Sequence, residues 1–420
     1  MKSYIIIAFC QLSILASGQT NKFTNDNYKE DFNFFWKSVN DEYAYFHKKN
    51  TDWDKIKSVY SPLIANVTNR DQFVSVLERA LYEIYDHHAI LNTNTDSSFR
   101  LVPSGTDIWA QYVNGKPVVI ELRKGFGAES VGVLPGMEII AINDVPAEKA
   151  ISNHLPQCLR TPDVEAKNFV LRQLLAGDHI HNRKLTLKYN NETRDYYPDI
   201  DGMKLEHIQH ADKVEIKMFG KTGYIKINDC LYDNDLIPAF DSAMQLMKNT
   251  SSLVLDLRET PSGGNTTVAR AILGWFVNKE HFFQKHEYYG EEKSFGIKHI
   301  WEEMVSPREK KYYNKPLVIL CDHWTASLGE ALVIGFDALK RPNTAVIGTP
   351  LARLYGAVYS YEMPNTKIHF SFPAERLYHV NGAPREKYTP AILIDLLKEN
   401  SAKQQDIFLN KAFSYLKMKE

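Results

Sequence analysis

The sequence predicts a mixed α/β protein built in three parts, and three observations predict it. From about residue 199 to residue 420, apolar strands alternate with amphipathic helices, the pattern of a largely parallel sheet covered by helices. Residues 101–198 instead carry short strands separated by turn residues. Residues 19–100 are helix-rich and aromatic. A chain of 420 residues is long enough for two to three domains, and these three texture changes set their expected boundaries.

The first element lies before these domains. "MKSYIIIAFCQLSILASGQT" has Lys2, an apolar run from Tyr4 to Ala16, and small residues at Ala16, Ser17 and Gly18. It reads as a secretory signal peptide over 1–18, cleaved near Gln19, so an exported, periplasmic or extracellular protein is expected. The run is too short for a comfortable bilayer span, and no other segment is apolar enough, so no stable membrane span is expected. Next, "DQFVSVLERALYEIY" puts Phe73, Val76, Leu77, Ala80 and Ile84 on one helical face, with Asp71 as the expected cap. The helix runs into "DHHAILNTNTD", a turn-like stretch.

In the middle part, "PVVIEL", "EIIAIND" and "KLTLKY" read as strands. A Pro-Gly turn, a short strand and an Asn143-Asp144 turn follow one another in "GVLPGMEIIAINDVPAEKAI", residues 132–151. The last part alternates "GYIKIND" (223–229), helix 236–248, "SLVLDLR" (252–258), helix 266–277, "KPLVILCD" (315–322), helix 328–339 and "TAVIG" (344–348). Two antiparallel-looking strands, "AVYSYEM" and "KIHFSF", come after.

Composition excludes some functions. With 44% apolar and 24% charged residues, a net charge of −1 and no block of like charge, nothing in the composition points to a nucleic-acid surface or an acidic tail, and no nucleic-acid partner is expected. Cys158, Cys230 and Cys321 are far apart with no metal spacing, and read as buried free thiols. No metal and no cofactor are expected.

Functional groups in an open α/β sheet gather where strands end and helices begin. One such joint is "VILCDHWTASLGEALVIGF", with Ser327 just before a helix. Ser327 is either a helix cap or a nucleophile whose oxyanion would face its own N–H or that of Leu328. A second joint is "LDLRETPSGGN", where Gly263 and Gly264 form either a tight turn or a close cradle for substrate backbone. A phosphate loop is excluded there, because no Lys-Ser or Lys-Thr follows. The third is "DHHA". A serine nucleophile needs a base, and histidine is the usual one. His87 and His88 could also be half a metal site, but no third ligand falls at convincing spacing.

In order, these segments read D-H-H, then G-V-L-P-G-M-E-I-I-A-I-N, L-D-L-R-E-T-P-S-G-G and T-A-S-L-G-E. The sequence resembles the C-terminal processing (tail-specific) peptidases, most closely their tricorn-core branch, over about residues 70–395. The resemblance implies a crotonase-like ββα catalytic core at 199–420, an inserted PDZ-like module at 101–198 and an N-terminal helical region at 19–100 carrying the base. It makes Ser327 the nucleophile, Gly264 and the Leu328 N–H oxyanion donors with Gly263 beside them, and Glu330 a structural hydrogen-bonding group. One branch of the family takes its base from a lysine after the serine. Residues 348–364 contain none, and Arg353 stays protonated. His88 then falls on the histidine base of the tricorn-like branch and Glu386 on its supporting carboxylate. The implied activity is serine peptidase chemistry on a peptide or protein substrate. Departures at His87, Arg353 and Ala391 keep an alternative open, a catalytically inactive member of the same fold that binds peptide or ligand. An esterase of the α/β-hydrolase type is opposed by the missing G-x-S-x-G elbow.

Overall fold

The computed structural model describes residues 23–199, 212–399 and 406–418. The expected signal segment 1–18 and its cleavage point at Gln19 lie outside the described residues. Among those described, no helix is long and apolar enough to cross a membrane.

The N-terminal part is three helices, Asn25–Glu42, Trp53–Ile64 and Arg70–Tyr82. Each begins at a side-chain cap, Thr24, Asp52 and Asn69 respectively. The third corrects the expected cap at Asp71. Asn69 has the extended backbone a cap requires and its side chain accepts from Gln72 N at 2.9 Å, which leaves Asp71 inside the first turn. The anticipated face is buried: Phe73, Val76, Leu77, Ala80 and Ile84 all lie in the core. This core is not closed by helices alone. Met363, Ile368, Phe370 and Phe372 pack into it from far along the chain. Phe370 and Phe372 belong to an antiparallel sheet ordered Ile90–Leu91, His369–Tyr378, His281–Tyr288, His299–Val305, with Ala357–Glu362 paired to His369–Tyr378, and Met363 and Ile368 lie in the turn that joins that pair.

Residues 108–196 form a separate sheet, Ile108–Val113, Lys116–Leu122, Glu138–Ile142, Leu185–Tyr189 and Glu192–Tyr196 in that order, with helices Ala147–Asn153 and Val164–Ala176 against it. Its core runs from Ile108 and Val119 to Leu185 and Leu187, and Tyr85 from the N-terminal part packs into it. Arg183 is buried between Asp107 and Asp199 at 2.6 and 2.7 Å.

The third part holds a six-stranded sheet. Its order is Ile392–Leu393, Thr344–Gly348, Leu317–Cys321, Ser252–Asp256, Thr222–Ile227 and Val214–Phe219. The first five are parallel and the last pairs antiparallel. Ser252–Asp256 and Leu317–Cys321 are buried at every position, as central parallel strands covered on both faces should be. They are neighbours, so the loops leaving their carboxyl ends lie side by side. Those loops are 257–265 and 322–327. The 108–196 module docks on this edge: Arg123 Nε donates to Glu259 at 3.1 and 3.2 Å, and Trp324 Nε1 donates to Thr106 O at 2.8 Å.

Candidate active site

The loop before Ser327 is tied down residue by residue. Asp322 N donates to Thr325 Oγ1 at 3.0 Å, and Thr325 Oγ1 donates to Leu257 O at 2.9 Å. Thr325 also pairs in parallel with Thr260, which joins the two loops. Ser327 then stands at φ 51°, ψ −109°, directly before the helix Leu328–Ala338. Positive φ in a residue with a side chain costs about 1–3 kcal/mol and persists only where neighbours enforce it. Glu330 supplies that force. Its Oε2 accepts the Ser327 N–H at 2.9 Å and its Oε1 accepts the Arg353 N–H at 2.9 Å. The Glu330 carboxyl is fully buried, and burial pushes it up to about 7 against the opposing pull of Arg385 and the amides.

His88 arrives from the turn after the third helix. Asp86 fixes its backbone: Oδ1 accepts the His88 N–H at 2.9 Å, while Oδ2 accepts from Tyr43 Oη at 2.7 Å. The ring bridges two elements. Nδ1 lies 2.6 Å from Tyr355 O, and Nε2 lies 3.2 Å from Ser327 Oγ. A carbonyl oxygen only accepts, so Nδ1 carries the proton and Nε2 presents its lone pair to the serine hydroxyl. Burial, reinforced by the Arg385 charge, pushes His88 down to about 4, with the Tyr355 carbonyl opposing. The imidazole is therefore neutral at ordinary pH.

The glycine pair divides its work. A Cβ on Gly263 would lie 2.6 Å from Ser327 Cβ and 3.0 Å from its Oγ, and Gly263 has φ +68°. The space over the serine hydroxyl thus exists because residue 263 has no side chain. A Cβ on Gly264 would fall 2.2 Å from the Leu231 backbone, so this glycine permits the loop to pack. The N–H of Leu328 is one of the first helical amides, which have no acceptor within the helix.

Glu386 is not where the sequence reading expected it. The structure does not bring its carboxylate to His88: it pairs with Lys48, while the Nδ1 partner of His88 is a backbone carbonyl. Its neighbour Arg385, which carries no mark of a site residue in the sequence, is buried and donates to Leu354 O at 3.0 Å and Gly356 O at 2.7 Å. It thereby clamps the backbone on either side of Tyr355. His87 stacks on Phe169, with ring centroids 4.5 Å apart, and its Nε2 is buried without a hydrogen-bond partner. Among the described residues no group of three His, Cys, Asp or Glu side chains could hold a metal ion, and Cys158, Cys230 and Cys321 are buried and free.

A cavity of about 730 Å³ abuts the pair. Asp86, His87, Arg172, Arg353, Tyr355 and Glu386 line it, though Ser327 and His88 themselves do not.

Comparison with known proteins gives two family matches. The tricorn protease C1 domain matches residues 24–81, and peptidase family S41 matches residues 221–394, together more than half of the chain. The chain belongs to peptidase family S41. The S41 match contains Gly263, Gly264, Ser327, Glu330 and Glu386, whereas His88 lies outside both matched segments. Solved structures share the fold at low identity. Mature CPAF superimposes with a TM-score of 0.58 at 14% identity, covering 90% of this chain and 95% of that one. The photosystem II D1 C-terminal processing protease gives 0.55 at 15% identity, covering 89% and 93%. No curated protein matches the sequence.

Proposed function

We propose that this S41 member is an exported serine peptidase that hydrolyses peptide bonds through an acyl-enzyme on Ser327, with His88 as general base. One observation carries the reading: His88 Nε2 faces Ser327 Oγ at 3.2 Å while Nδ1 is committed to the Tyr355 carbonyl, which leaves the imidazole one role towards the serine, that of acceptor. In the proposed reaction Oγ attacks the scissile carbonyl and its proton passes to Nε2. The oxyanion forms beside the Leu328 N–H and the Gly263-Gly264 backbone. His88 returns the proton to the leaving amine, and water attacks the acyl-enzyme by the same relay. The imidazolium formed on the way is stabilised by a carbonyl dipole in place of a carboxylate. Export is proposed from the N-terminal signal-like stretch. The five-stranded 108–196 module is proposed as the PDZ-like insert.

The test is a peptide-mixture digestion. The chain from Gln19 onward, and its Ser327→Ala and His88→Ala variants, are incubated with proteome-derived peptides and new termini are read by mass spectrometry. New termini from the parent, lost in both variants, are the expected result. Activity surviving in His88→Ala removes the base assignment. Absence of cleavage in every form turns the reading towards the inactive, ligand-binding member of the fold.

A further inference from the structure

The 730 Å³ cavity holds two arginines that the proposed chemistry does not use. Arg353 is fixed relative to the nucleophile on both sides. Its N–H and that of Ser327 share the two oxygens of Glu330, and two residues later the Tyr355 carbonyl holds His88. Arg353 has φ 59°, a left-handed conformation that a side-chain-bearing residue adopts only at a cost, and its side chain is exposed along the cavity. Arg172, from the helix Val164–Ala176, lines the same cavity. Its guanidinium lies over the Trp109 ring at 4.4 Å, and Nε donates to Ala110 O at 3.2 Å. That leaves its terminal nitrogens unassigned. Burial, with the Arg353 charge added, pushes Arg172 down to about 10, Glu165 opposing.

Neither guanidinium has an ion-pair partner among the described residues, although four carboxylates line the cavity. Three of these are engaged elsewhere: Asp86 by Tyr43 and the His88 amide, Glu386 by Lys48, Asp395 by Lys398. The fourth, Glu165, is exposed. Two like charges facing one cavity next to a reactive pair lack an anion, and a carboxylate matches a guanidinium in shape and charge.

We propose that Arg172 and Arg353 form a carboxylate-binding subsite, so that the site favours peptides presenting a carboxylate, from an acidic side chain or a free C-terminus, beside Ser327 and His88. This rests on the peptidase reading for its consequence in catalysis, though not for binding. The test separates the two. Three fluorescein-labelled alanine-based hexapeptides serve as probes: one with a single Glu and an amidated end, one with Gln in its place, and one uncharged with a free C-terminal carboxylate. Their Kd values are measured by anisotropy on the full Ser327→Ala chain, alone and combined with Arg353→Gln, Arg353→Lys or Arg172→Gln.

At least one carboxylate-bearing peptide is expected to bind about ten-fold tighter than the Gln peptide, the scale of a charge-assisted hydrogen bond. Which of the two does so names the source of the carboxylate. Arg353→Gln removes the advantage and Arg353→Lys restores part of it. Arg353 is exposed, so this substitution does not depend on the core tolerating the loss of Arg172 from its place on Trp109. Equal binding of all three peptides, or an advantage that survives both Gln variants, overturns the proposal. Cleavage by the parent chain is scored separately: carboxylate-dependent binding without any cleavage sinks the peptidase reading and leaves the subsite standing.

Discussion

The acid limb of the pH–rate profile is where this site should differ most from an ordinary histidine-dependent hydrolase. His88 works as a base only when neutral. Burial and Arg385 hold its pKa at about 4. At pH 5 an imidazole of that pKa is about nine-tenths neutral, against roughly 3% for an unperturbed histidine. The predicted kcat/KM at pH 5 is therefore close to its plateau, about thirty-fold above what a free imidazole permits. The assay is kcat/KM for a cleaved peptide from pH 4 to pH 9, with far-UV circular dichroism at each pH. Glu330 is the complication, because its carboxyl is pushed up to about 7 and its two oxygens hold Ser327 and Arg353. A limb near pH 7 that moves in Glu330→Gln reports that residue. A limb near 6.5 that persists in Glu330→Gln refutes the account of His88. The same shift has a stability consequence. A buried histidine with a depressed pKa favours the fold above its unfolded pKa and loses that contribution as pH falls from about 6.5 to about 4. For His88 this amounts to about 3 kcal/mol.

Four substitutions extend the argument. Gly263→Ala places a methyl 2.6 Å from Ser327 Cβ at φ +68°, so kcat/KM should fall at least about ten-fold. A variant with unchanged kinetics shows that the space over Ser327 is not used. His88→Ala should cost about 10²–10⁴-fold in kcat. Glu386→Gln should cost much less, since its partner is Lys48, and an equal loss restores Glu386 to the supporting role. Arg183→Met leaves Asp107 and Asp199 buried together without their shared cation, so urea unfolding should show a loss of about 3–5 kcal/mol. A loss under 1 kcal/mol contradicts that view of the 108–196 module.

Much of this was readable in the sequence because it follows from periodicity. The stretches Leu253–Leu255 and Leu317–Cys321 are apolar throughout, so the ends of their strands, and the residues Gly263 and Ser327 placed just beyond, are legible in the sequence itself. His88 was reachable because it follows a well-patterned helix. What stayed hidden depends on contacts across the chain. Lys48 and Glu386 are 338 positions apart, and neither carries a local mark of the other. The acceptor for His88 Nδ1 is a main-chain carbonyl, which any residue at 355 would provide. Arg385 acts through backbone oxygens for the same reason. The strand His299–Val305 was missed because its exposed positions mix Ile300 and Met304 with charges, which blurs the alternation. Asn69 and Asp71 are both good caps, and only the backbone angles choose between them.

The central claim is that His88 activates Ser327. A fluorophosphonate probe tests it without knowledge of the substrate, because the serine oxygen must displace fluoride to form an O–P bond. The chain from Gln19 onward is labelled and the site mapped by peptide mass spectrometry. The account predicts one adduct, on Ser327, absent in Ser327→Ala and formed at least about 100-fold more slowly in His88→Ala. An adduct on another residue, no adduct on a folded chain, or a labelling rate unchanged by His88→Ala contradicts it.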